Sequence, residues 1–229
     1  MEPFTHIVRD EQNTFPRYLT RVFLIVLLGL LISFGVAFLM LQSGNALFYY
    51  FHPYIILILQ LGIAWFFSFR LMAMERGTAW FCYIAYSAIM GLTFSVLPLI
   101  YDGRSILFAV GMTAVLFGCM AMIGHNTHVD LTKYSTYLFI GLFMIILITV
   151  VNFFFIHSGG LDLLMTYVGV LLFLAITAYD MQRLRALYLE GYGDRNLYEK
   201  LTIFGAFQLY LDFINLFIRI LRIFGRRRD

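Results

Sequence analysis

Two carboxylates occupy positions where charge is costly. Asp180 closes an apolar run in Ile176-Thr-Ala-Tyr-Asp-Met-Gln-Arg183. Asp212 lies inside another, Phe204-Gly-Ala-Phe-Gln-Leu-Tyr-Leu-Asp-Phe-Ile-Asn-Leu-Phe-Ile-Arg-Ile-Leu-Arg222. In the second run Gln208, Asp212, Asn215, Arg219 and Arg222 fall on one helical face at about 100° per residue. Such a face cannot turn to lipid and needs protein partners or water. Two carboxylates that meet at low dielectric do not both ionise cheaply. Like charge and desolvation each raise a carboxylate's pKa, so the pair can share a proton near neutral pH. A hard cation such as Ca²⁺ suits the same oxygens and competes with that proton. The chemistry is that of a pH-sensitive cation site or gate. The plainer alternative pairs Asp180 with Arg183 or Arg185, holds Asp212 with Asn215 and Gln208 as packing, and lets Arg219 and Arg222 reach toward the far interface.

The elements that position these groups follow from composition. The 229 residues are 62% hydrophobic and 13% charged, with a mean hydropathy of +0.85. A soluble domain carries about 25% charged residues, so the chain reads as a polytopic, all-α membrane protein of one domain. A net charge of +3 is too small to indicate nucleic acid. Seven apolar runs suit membrane spans: Val22–Gln42, about Tyr50–Phe69, Ala79–Tyr101, Ile106–Gly124, Tyr134–Ile156, Leu163–Tyr179 and Leu201–Phe224. Residues 1–21 form a mixed-charge N-terminal segment without secretory-signal features, residues 22–225 the membrane domain, and residues 226–229 a basic tail. Short connections make neighbouring helices antiparallel. Cys82 and Cys119 lie in apolar runs and read as buried free thiols. Tyr49, Tyr50, Phe51, Tyr54 and Trp80 are either interfacial aromatics or ordinary packing residues. Pro98 is expected to bend the third run. Gly29, Gly35, Gly91, Gly111, Gly118 and Gly141 suit close helix contacts.

Basic residues alternate between loops. The N-terminus holds Arg9, Arg17 and Arg21, the second loop Arg70 and Arg76, the fourth Lys133, and the sixth Arg183, Arg185, Arg195 and Lys200. The intervening loops hold only Arg104, which places the N-terminus in the cytoplasm. A seventh run that crosses carries Arg226, Arg227 and Arg228 outward, against that rule; a re-entrant last segment is the alternative. His125, His128 and Asp130 have loose metal-ligand spacing. Gln60 and Asn152 suit interhelical hydrogen bonds. No nucleophile motif, phosphate loop or cofactor fingerprint occurs, so neither an enzyme nor a cofactor is expected. Paired aspartates with Tyr179-Asp180 are similar to presenilin-like aspartyl proteases. The Gly-x-Gly-Asp context is absent, however, because Leu209-Tyr-Leu-Asp212 stands there, and no proline follows Pro98.

Leu209-Tyr-Leu-Asp-Phe-Ile-Asn-Leu-Phe-Ile-Arg-Ile-Leu-Arg-Ile-Phe-Gly225 resembles the C-terminal signature of the transmembrane Bax-inhibitor-motif family, and most of all its bacterial inner-membrane members. Tyr167 through Arg183 resembles that family's sixth helix, and Gly91-Leu-Thr-Phe94 part of its third. The resemblance implies seven helices, six wrapped around a central C-terminal one. It implies a proton-sensitive Ca²⁺ leak in a bacterial inner membrane, sensed by Asp180 and Asp212. It also implies an arginine latch onto the sixth-helix aspartate, with Arg70 in Phe67-Ser-Phe-Arg70 as the match and Arg76 as the alternative. Some bacterial relatives carry a glutamate in the second helix, and in that vicinity this chain has Gln60. The direction of the pH effect is open. So are two other functions: an interaction protein that modulates membrane proteases or death and stress machinery, and an H⁺/cation exchanger. The partners implied are the lipid bilayer, Ca²⁺ and H⁺.

Overall fold

The computed structural model describes residues 2–44 and 53–227, with side chains from residue 14 onward except at 53–55, 57 and 72. These residues form helices and connections: α1 (Glu2–Gln42), α2 (Pro53–Arg70), α3 (Arg76–Phe94), α4 (Gly103–Asn126), α5 (Ser135–Val151), α6 (Gly159–Glu190) and α7 (Arg195–Phe224). Six spans are long and apolar enough to cross a membrane, and the described apolar part of α2, Ile58–Arg70, is shorter. Tyr49, Tyr50, Phe51, Arg228 and the Tyr54 side chain lie outside the described residues.

Several helices overrun the apolar stretches that announce them. α1 begins at Glu2, so the polar segment continues the first span as helix. Phe15, Tyr18, Val22, Ile25 and Val26 explain its inner part, because they recur at helical spacing and are all buried. α6 continues through Asp180 to Glu190, which moves Arg183 and Arg185 from loop to helix. Lys200 likewise sits on α7 and is buried. α3 stops at Phe94 and the chain resumes as a single turn, Leu97–Ile100. Pro98 stands in that first turn, where its missing N–H is no loss, so it marks a restart rather than a bend within one helix.

The chain divides into two compact units, residues 1–97 with 184–210 and residues 98–183 with 211–229. In the first, α3 lies along α1 through buried polar contacts. The Tyr83 hydroxyl donates to the Ile25 carbonyl at 2.6 Å, beside Gly29, where any Cβ would collide with the phenol. Ser33 donates to the Ser87 carbonyl at 2.8 Å and lies 2.7 Å from the Tyr210 hydroxyl on α7. The Tyr83 and Tyr86 rings pack edge-on against Phe207 and Tyr210. Gln60 makes the expected interhelical bond, its Nε2 donating to Thr93 Oγ1 at 2.8 Å. Of the six long spans α7 is the most enclosed: 72% of its apolar stretch is buried, against 11–39% in the others.

Three arginines meet one carboxylate in this unit. Glu199 Oε2 accepts from Arg76 Nη1 at 2.6 Å, and Oε1 lies 3.8 Å from Arg21 Nη2 and 3.6 Å from Arg195 Nε. The Glu199 side chain is 10% exposed while the arginines are 45–89% exposed. The node ties α1 and α3 to the start of α7. Glu199→Gln is expected to cost about 1–3 kcal/mol, toward the low end because the guanidinium groups are solvated. Thermal unfolding in detergent measures this. The gap to wild type should narrow in high salt, which screens the three exposed charges.

Cys82 is buried as expected, but Cys119 is exposed. It shares the outward face of α4 with Phe108, Val115 and Met122. A span facing lipid is as apolar as one facing protein, so composition does not separate the two.

Candidate functional site

The second unit brings Asp180 of α6 and Asp212 of α7 together. Both are buried, 8% and 4% exposed, and they lie near enough for each carboxyl to feel the other. Asp212 Oδ2 is buried with no hydrogen-bond partner among the described residues. Arg183, one turn along α6, adds a positive charge to the surroundings of Asp180.

The neighbours of Asp180 are fixed on each side. Gly124 of α4 lets two backbones touch: a Cβ there would lie 2.8 Å from Ala178 Cα and closer still to the Ala178 carbonyl oxygen. Tyr179 packs edge-on to Phe139 at 6.5 Å. Gln182 grips the connection between α4 and α5, accepting from Leu131 N at 2.7 Å and donating to the Val129 carbonyl at 2.9 Å. On α7, Phe213 packs edge-on to Phe117 at 5.6 Å. The Asn215 amide donates to the Leu211 carbonyl of its own helix at 2.8 Å. Gln208 is half-buried on α7 in the first unit. Arg70 is exposed in the last turn of α2, and the alternative latch, Arg76, is held by Glu199.

The far end of α7 differs from expectation. Arg222 does not merely extend outward; its Nη1 donates to Asp162 Oδ1 of α6 at 2.8 Å. Arg219 turns inward, donating to the Met165 carbonyl at 3.2 Å, with its guanidinium carbon 5.2 Å from the centre of the Phe173 ring. Gly169 makes room for it, since a Cβ there would lie 2.6 Å from Arg219 Nε. Thr149, Asp162, Met165, Thr166, Asn215 and both arginines line a cavity of about 210 Å³. Asp162 escapes a reading by apolar runs because it precedes its run. Its only signal is an acidic residue in the first turn of a helix, where the dipole favours it.

α7 runs unbroken for about 45 Å at 1.5 Å per residue, so the last segment does not double back. Beyond it, Arg226 N donates to Ser105 Oγ and Asp102 N to the Arg226 carbonyl, both at 3.0 Å. Tyr101 and Arg227 form an isolated antiparallel bridge. The tail is thereby pinned to the connection between α3 and α4.

Among the described residues Asn152 makes no interhelical bond. It closes a π-helical turn, Asn152–Ile156, by bonding both the N–H and the carbonyl of Ser158. His125, His128 and Asp130 do not converge, and no three His, Cys, Asp or Glu side chains do among the described residues. Asp130 instead accepts from the hydroxyl and N–H of Thr132, which hold its carboxyl below the usual range.

Comparison with known proteins agrees with this architecture. The family described as "Inhibitor of apoptosis-promoting Bax1" matches residues 16–229. The chain is 36% identical over 217 residues to the inner membrane protein YbhL of Escherichia coli K12, covering 92% of each chain. It is 35% identical over 217 residues to an uncharacterized protein of Borreliella burgdorferi, covering 93% of each. A membrane protein of Streptococcus pyogenes is 33% identical over 144 residues, 63% of this chain and 62% of its own. With nearly its whole length matched and multiple membrane-spanning helices, the chain belongs to the Bax inhibitor family of membrane proteins.

Proposed function

We propose that the protein is a passive, pH-regulated cation leak that conducts Ca²⁺ and is gated at the Asp180–Asp212 pair. It would lie in a bacterial inner membrane with its N-terminus in the cytoplasm and α7 as the central helix. One observation carries the reading: two buried carboxyl groups are set near one another, and one Asp212 oxygen has no hydrogen-bond partner among the described residues. A proton or a divalent cation satisfies those oxygens, and binding one displaces the other. Protonation is then a local electrostatic event that biases a two-state helix arrangement. On this reading Arg70 is the latch, since Arg76 is engaged by Glu199. No catalytic step and no cofactor enter the mechanism.

The test is Ca²⁺ efflux from proteoliposomes that contain only the purified protein. Efflux above that of empty liposomes is expected, and it should run only down the gradient. Absence of flux from folded protein would favour a membrane interaction protein that acts through partners, while flux against a gradient would indicate an exchanger.

A further inference from the structure

We propose that the arginine end of α7 binds a phosphate-type oxyanion, supplied by a lipid headgroup or by free phosphate, between Arg219 and Arg222. The inference does not rest on the leak. Its starting point is a charge balance. Arg219 is half-buried, and its contacts are a backbone carbonyl and an aromatic ring. The nearby carboxylate, Asp162, already accepts from Arg222. Two guanidinium groups and one carboxylate leave one positive charge. A partly desolvated guanidinium that shares its one nearby carboxylate with a second arginine is incompletely compensated, so the site favours a monoanion.

The geometry suits an oxyanion. Arg219 is held against Met165 and Phe173 in the space left by Gly169, so it is oriented before any ligand arrives. It has five N–H donors and uses one on Met165. Its planar fork matches phosphate oxygens better than a spherical ion. Thr149, Thr166 and Asn215 add polar groups around the same cavity. The volume of about 210 Å³ is several times the roughly 30 Å³ that one water occupies in the liquid. Access is provided by an adjoining open cleft of about 590 Å³, which shares Thr149, Asp162 and Arg222 and adds Asn152, His157 and Ser158 from the segment between α5 and α6. Asp162 steadies Arg222 and keeps the net charge at one, which fits the single charge of a phosphodiester.

Two assays on the full-length protein in detergent test the site. In the first, thermal unfolding is followed while inorganic phosphate is titrated against chloride at matched ionic strength. In the second, delipidated protein is offered phosphatidylglycerol or a neutral diacylglycerol, and retained lipid is read by native mass spectrometry. A phosphate-specific rise in the unfolding midpoint identifies free phosphate; selective retention of phosphatidylglycerol identifies the headgroup. Either response should weaken about tenfold or more in Arg219→Gln, which loses charged hydrogen bonds. Should that variant fail to fold, Arg219→Lys decides by the same readouts, because it keeps the charge and loses the fork. The proposal is overturned if wild type does not distinguish phosphate from chloride or phosphatidylglycerol from diacylglycerol. Binding undiminished in the Arg219 variant that folds overturns it as well.

Discussion

Asp212→Asn is expected to flatten the pH response of Ca²⁺ flux. Asparagine keeps the size of the side chain and can still donate to Asp180, so the helices retain their contact. What disappears is the second ionisable oxygen pair and with it the shared proton. On the proposed function each Ca²⁺ that entered the site would displace protons, so apparent affinity should fall by up to about tenfold per unit of acidification for each proton displaced. That competition sets the sign: acid favours the proton and alkali the cation. With one carboxyl left, Ca²⁺ loses half its ligand oxygens, and the coupled titration of the pair is gone. Flux from proteoliposomes about one unit either side of neutral reads this directly. A variant with the wild-type pH profile would remove the pair from the mechanism, and Asp180→Asn should give the same flattening from the other helix.

Gly124→Ala should destabilise the second unit. Alanine is otherwise worth up to about 1 kcal/mol over glycine inside a helix. At Gly124 the new carbon would press on the backbone of Ala178, which cannot swing aside as a side chain can. α4 and α6 must part, at a cost of about 1–3 kcal/mol or more. Gly118 on the same helix is the control, since a Cβ there meets nothing within 4 Å. Gly118→Ala should be neutral or stabilising, so the difference between the two unfolding midpoints isolates the clash. Ala178 is two residues from Asp180, so Gly124→Ala should also disturb the pH profile of flux. If Gly124→Ala proves as stable as Gly118→Ala, the close approach of α4 to α6 has no energetic weight.

The helices and the aspartate pair were legible before any coordinates, for one physical reason. Lipid admits few charges, so apolar runs mark the helices, and Asp180 and Asp212 stand out against them. Other features lacked such contrast. Asp162 and Glu199 sit at the ends of runs, where a charge looks like ordinary solvation; their value lies in partners 60 and 123 residues away. Gly124 and Gly118 are indistinguishable in sequence, because what matters is the surface each one meets. Cys119 shows the same limit for exposure, and Asn152 for hydrogen bonding: its partner is six residues along the chain rather than on another helix.

The tail's anchorage has a consequence for biosynthesis. Ser105 and its partner Arg226 are 121 residues apart, so Ser105 is made first and waits. At about 5–20 residues per second, the interval is about 6–24 s. In the last part of it α6 is already made while α7 is not complete, and Asp180 has no carboxyl opposite it. The nascent protein must hold that group neutral or wet until the last helix arrives. The insertion machinery therefore meets an intermediate in which the residue that the finished protein sets against Asp212 is still without that partner.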